Sequence, residues 1–200
     1  MPASVMDAGI FCGRMRRDVF YFAGYRNSFA SVSGMTKTEK YVVRTSDIPI
    51  DRTFHFSHPL NSASEMRLLP LSDQTGMKNL GISIGRIPPG KEGFIPHAHA
   101  GQEEFIYVLE GEGVLTVDGE TTVIKPGDFV GFPIDGAVHH LANDAKEDLV
   151  YLMGGERTAT DVSYFPTIGK KGFWANGTMH YVDDDDAASF RPDDFSATKS

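Results

Sequence analysis

Two histidines one residue apart, His97-Ala98-His99, are the most chemically suggestive feature of this sequence. In an extended strand successive side chains alternate between faces, so positions i and i+2 present both imidazoles on one side. Glu104 opens the next apolar run, and His139 lies forty residues beyond His99 on a further short run that must cross the same interior. Neutral imidazole suits Zn, Cu, Fe and Ni, and a carboxylate adds the negative charge that holds a divalent ion. Such a set leaves positions open on a six-coordinate ion for water, dioxygen or a bidentate substrate. Two of the four groups have a rival beside them. Glu103 adjoins Glu104 and His140 adjoins His139, and neighbouring strand residues face opposite ways.

These groups must be positioned by short strands. Residues 79–87 alternate Leu80, Ile82 and Ile84 with small or polar residues, the period of a half-buried strand. Phe105 to Leu109 is continuously apolar and reads as a strand inside a barrel wall. Val114 to Val117 and Thr121 to Ile124 flank Asp118-Gly119, a hairpin signal because both residues tolerate positive φ. Pro126-Gly127-Asp128 makes the next turn. Phe129 to Phe132, Ala137 to Ala142 and Leu149 to Met153 read as further strands, the last stopping at Gly154-Gly155. No stretch sustains a 3.6-residue period, and many evenly spaced short strands imply a sandwich or closed barrel. There is no internal repeat, so one barrel is expected. Residues 41–75 should add strands or a wrapping arm. Residues 161–182 carry five aromatics expected to pack on the outside of the barrel, with Phe165, Phe173 and Trp174 as plain hydrophobic packing.

Pro89-Gly90 precedes the histidine pair, and Gly111 follows Glu104. A second run holds Gly127, Pro133, Gly136, His139 and Asn143 in order. These two stretches resemble the paired motifs of the cupin superfamily, with one extra residue between Gly90 and His97 and one between Pro133 and Gly136. The resemblance implies an all-β fold, a single jelly-roll type cupin barrel with N- and C-terminal extensions. It also implies a metal set of His97, His99, Glu104 and His139. Counting back from Gly111 selects Glu104 over Glu103. The Gly136 spacing and Asn143 select His139 and leave His140 outward. His55, His58 and His180 fall outside both motifs and are expected at the surface. Over residues 38–182 the chain is similar to small single-domain bacterial cupins, and the segment Tyr164 to Lys170 resembles their tail.

Composition narrows the rest. A formal charge of −8 argues against nucleic acid, which needs a basic face, and no apolar run reaches the roughly 20 residues of a bilayer span. Cys12 stands alone, so no internal disulfide is possible, which fits a cytoplasmic protein. Residues 1–34 hold four arginines against two aspartates and faintly resemble a transit peptide; a disordered segment, or a natural start at Met35, is the plainer expectation. Residues 35–182 would form the barrel with its arms, and the acidic stretch 183–200 a solvated tail. The expected function is a mononuclear metal-dependent enzyme, dioxygenase-like or Lewis-acidic, acting on a small oxygen-rich molecule. Its ion would be one divalent transition metal among Fe, Mn, Ni, Cu and Zn. The alternative is a small-ligand sensor without turnover. Sugar-phosphate isomerase action is disfavoured because only Arg86 and Lys91 lie near the motifs to meet a phosphate. Residues 1–75 show no helix-turn-helix pattern, which disfavours transcriptional regulation. A homodimer is expected because sheet edges need covering.

Overall fold

The computed structural model describes residues 36–186, apart from 49–52, 59, 135 and 176–177. Among these residues the chain forms fourteen strands and a single four-residue α-helix, α1, Ser72–Thr75. The strands are β1 Phe54–His58, β2 Asn61–Pro70, β3 Leu80–Ile87, β4 Lys91–Glu92, β5 Ala98–His99, β6 Glu104–Glu110 and β7 Gly113–Val117. They continue as β8 Glu120–Ile124, β9 Phe129–Phe132, β10 His139–Asn143, β11 Leu149–Glu156, β12 Thr160–Phe165, β13 Lys170–Ala175 and β14 Thr178–Asp183.

The larger, curled sheet runs β8-β7-β10-β4-β2-β3-β11-β6-β9, with β1 paired onto β2; the smaller runs β14-β13-β12-β5. An antiparallel bridge between His97 and His139 joins the start of the β5 segment to β10 and so ties the two sheets together. The barrel is filled by one apolar cluster that includes Phe56, Met66, Leu68, Ile87, Val108, Leu115, Phe132, Leu141 and Leu149. Its residues come from both halves of the sequence, so burial of this carbon surface is what holds the sheet curled.

Turn chemistry is where the sequence predicts it. Asp118 (φ 48°) and Gly119 (φ 86°) make the two-residue connection between β7 and β8, and Asp118 Oδ1 accepts the Val138 N–H at 2.9 Å. Gly111 combines φ 75° with a backbone approach that would set an added Cβ 2.3 Å from the Asp148 carbonyl oxygen, so no other residue fits there. Asn143 is fully buried; its amide donates to the carbonyls of Ile87 and Glu147, both at 2.8 Å. It therefore holds the turn before β11 and takes no part in the site.

Two expectations about strands need correction. On β3 the deeper face is Gly81, Ser83, Gly85 and Ile87, while Ile82 and Ile84 are half-buried and Leu80 is exposed. The reason is Tyr151: its ring lies where a Cβ on Gly85 would be, at 2.5 Å, so glycine on one strand makes room for a large ring on the next. The run Phe105 to Leu109 lies on β6, between β11 and β9 in the larger sheet as expected, with Val108 buried and Tyr107 and Leu109 each 40% exposed. Finally, β11 runs through Gly154 and Gly155 to Glu156, because those glycines pair with Phe105 and Glu104 of β6. At the C-terminal end, Asp183 and Asp184 form ion pairs with Lys170 and Lys171, so the acidic stretch begins attached to β13. Residues 1–34 and most of 183–200 lie outside the described residues.

Candidate metal centre

His97 and His99 point to one side, as their spacing requires, and the backbone of His97 is held by reciprocal N–H to carbonyl bonds with His139 (3.1 and 2.8 Å). That bridge places three imidazoles around one carboxylate. The Nε2 atoms of His97, His99 and His139 stand 3.8, 3.5 and 3.3 Å from Glu104 Oε2. Within this cluster, donor atoms of His97, His99 and Glu104 all lie within 4.8 Å of one another and could hold a metal ion; His139 lies outside that mutual spacing but approaches the same Glu104 oxygen. Glu103 is exposed, and His140 turns instead to Glu92, with Nε2 3.3 Å from Oε2.

Hydrogen bonds fix the tautomer of every ring. His97 Nδ1–H donates to the Ile95 carbonyl at 2.7 Å, and His139 Nδ1–H to the Ala137 carbonyl at 3.2 Å. His99 Nδ1–H donates to Asp161 Oδ2 at 2.6 Å. Because each acceptor is a carbonyl or carboxylate oxygen, the proton must be on Nδ1, and each Nε2 lone pair is left facing Glu104. Three lone pairs aimed at a carboxylate oxygen repel unless a cation or a proton lies among them. Two donors bound to one ion at about 2.1 Å stand about 3–4 Å apart, and the three histidine-to-Glu104 distances fall in that range. The donor set therefore fits a divalent ion.

The electrostatics agree with this arrangement. Burial dominates at His97 and lowers its pKa, keeping the ring neutral and able to donate its lone pair. At His99 burial also pulls downward, but the Asp161 hydrogen bond and the charges of Glu104 and Asp161 outweigh it, and the pKa is raised. Burial would raise Glu104, yet its close polar contacts with the rings of His139 and His97, and the charges of His99 and His97, hold it well below the ordinary carboxylate range. It is an anion at neutral pH.

Packing sets the Glu104 arm. Gly155 pairs with Glu104, and a Cβ at 155 would come within 3.1 Å of both Glu104 Cγ and the Glu103 carbonyl. The His139 ring stacks on Phe132, centroids 3.7 Å apart at 13°, and the His97 ring stacks on Phe165 at 5.9 Å.

Sequence reasoning missed several residues here. Asp161 reaches His99 because β12 pairs with β5, setting Ser163 opposite His99. Its side chain is 2% exposed; it also accepts the Gly101 N–H and the Ser163 hydroxyl, both at 3.1 Å. The Asp-Val-Ser alternation of 161–163 puts both polar groups on one face, the one available signal. His58 was expected at the surface and is only 3% exposed, lining a cavity of about 120 Å³ together with His97, His99 and Glu104. Phe165 and Trp174, expected as packing on the outside, line the same cavity. Phe173 faces away and is 38% exposed.

Comparison with known proteins agrees with the fold. Residues 83–155 match a family model described as a cupin domain. An oxalate-binding protein of Thermotoga maritima is 34% identical over 113 residues, which is 56% of this chain and 89% of that one. The crystal structure of a putative sugar phosphate isomerase from Acidithiobacillus ferrooxidans superposes with a TM-score of 0.73 at 37% identity, covering 77% of this chain and 99% of that one. A sugar phosphate isomerase of the cupin superfamily from Silicibacter pomeroyi gives 0.64 at 26% identity, covering 73% and 97%. With the curled sheet, the histidine pair and near-complete coverage of these relatives in agreement, the chain belongs to the cupin superfamily.

Proposed function

We propose that the protein is a mononuclear metal-dependent enzyme in which His97, His99, Glu104 and His139 hold one divalent transition ion beside a substrate cavity. The observation that carries this reading is the shared tautomer: three rings spend Nδ1–H on fixed acceptors and turn Nε2 toward one buried carboxylate oxygen. Such an ion supplies Lewis acidity toward an oxygen-rich small molecule, or a site for dioxygen. The chain's own part is to orient and to shield. Ile95, Ala137 and Asp161 hold the rings in register, Glu104 offsets the positive charge, and Phe132 and Phe165 exclude water from the His139 and His97 sides. Cavity and donor set share His97, His99 and Glu104, so a ligand bound there meets the ion directly.

Metal analysis of purified protein, alongside His99→Ala, tests the site. We expect about one equivalent of metal in the parent and background in the variant, with the β-sheet circular dichroism unchanged. Equal metal in both would overturn the assignment. Oxygen uptake and product analysis on metal-loaded protein with small acids and phenols test turnover. The second reading, a binding module without turnover, is favoured by the name of the Thermotoga relative, an oxalate-binding protein. Tight binding of a small acid with no product formed would select it.

A further inference from the structure

We infer that the cavity beside His97, His99 and Glu104 selects a small carboxylic acid with an apolar remainder and discriminates against phosphate esters. The inference rests on the metal reading above and specifies its substrate class. The wall facing the cavity is mostly carbon, supplied by Phe94, Ile95, Met153, Phe165, Trp174 and Met179. Three of these stand on β12, β13 and β14, beyond the part of the chain that matches the cupin family model. The smaller sheet therefore adds an apolar wall to a barrel that already carries the donor set.

Charge points the same way. Among the described lining residues Arg157 is the one cationic side chain, and it is bound into an ion pair with Asp73, with further bonds to Ser72 Oγ and the Met77 carbonyl at 3.3 Å each. Glu104, Glu156 and Asp161 also line the cavity. Even with a divalent ion in place these three carboxylates leave the wall net negative, and the Asp73–Arg157 pair adds no compensation. A phosphate dianion placed there finds no cation beyond the ion itself and carries twice the charge of a monocarboxylate into this field. A monocarboxylate with an adjacent oxygen can reach the ion with both oxygens while its remainder lies on carbon. His58 adds a neutral ring whose nitrogens are both engaged. Its Nδ1 accepts the Leu60 N–H at 3.1 Å, which puts the ring proton on Nε2, 3.4 Å from Tyr181 Oη.

Pyruvate and 3-methyl-2-oxobutanoate test this cleanly, since they share a chelating head and differ by two methyl groups. Burial of each added carbon multiplies affinity by about fourfold. Calorimetric titration of Mn²⁺-loaded protein should give the branched acid about 15-fold tighter binding than pyruvate, and glycerol 3-phosphate weaker binding than either. Met179→Gln keeps side-chain length but makes the wall polar; it should cut the branched-to-pyruvate ratio at least threefold. Phe173→Ser, on the same sheet but facing away, should leave that ratio intact. Equal affinity for the two oxo acids, tighter binding of the phosphate ester, or an unchanged ratio in Met179→Gln would overturn the inference alone. Failure of the stripped protein to take up Mn²⁺ would instead overturn the metal reading, and the inference with it.

Discussion

Replacing Asp161 with Asn should weaken metal binding 10- to 100-fold while the barrel stays folded. Asp161 accepts three hydrogen bonds, from His99 Nδ1–H at 2.6 Å and from Ser163 Oγ and the Gly101 N–H at 3.1 Å each. An Asn side chain has one oxygen for these donors, and its NH₂ must face one of them. If the oxygen stays on His99, the NH₂ opposes the Gly101 N–H; if it turns, His99 loses its acceptor and the preference for Nδ1–H with it. A hydrogen bond to a charged partner contributes about 1.5–3 kcal/mol. Loss of the carboxylate behind a metal-binding histidine typically costs 10–100-fold in affinity, which is about 1.4–2.7 kcal/mol. The two figures agree. Titration of chelator-stripped protein with Zn²⁺, read by calorimetry, measures the loss, and the urea midpoint of the stripped protein separates it from unfolding. Parent-like affinity in Asp161→Asn would refute the reasoning that this carboxylate orients His99, and so would an affinity loss accounted for by the unfolded fraction.

Gly155→Ala should press on the Glu104 arm: the added methyl meets Glu104 Cγ and the Glu103 carbonyl at 3.1 Å. Overpacking of this kind costs about 1–3 kcal/mol, and Zn²⁺ affinity should fall several-fold with it. For pH, burial first and the charge of His97 second lower the pKa of His58. Below about pH 6.5 the unfolded chain takes up a proton there that the folded chain refuses, so stability falls as pH drops through that value. Urea midpoints at pH 7.5 and 5.5 should differ less in His58→Gln than in the parent. Light scattering at micromolar concentration should report a dimer, because among the described residues β8, β9 and β14 end their sheets; a monomer mass would count against this. Deleting residues 1–34 should leave the thermal midpoint and metal content unchanged, and a drop of several degrees would show that the segment belongs to the fold.

The candidate metal set was legible in part from local rules, and in part, for Glu104 and His139, from the resemblance to the cupin motifs. The i, i+2 spacing of His97 and His99 fixes a shared face in any extended chain, and Asp118-Gly119 fixes a tight turn wherever it stands between strands. The motif glycines are legible for the same reason, since positive φ at Gly111 and Gly127 is a property of one residue. Alternation on β3 was legible too, but not its direction. Periodicity says that Ile82 and Ile84 share a face; only the Tyr151 ring across the sheet decides that the glycine face lies deeper. The same limit hid Asp161, His58, Trp174 and Met179. Each enters the site through strand pairing between segments far apart in sequence: β12 onto β5 for Asp161, β1 onto β2 for His58, and β13 with β14 beside β12 for the apolar wall. A one-residue shift in any of those registers would turn the same side chains to the opposite face. The sequence alone thus determined which atoms could bind an ion; the tertiary pairings decided how they are held and what surface a substrate meets.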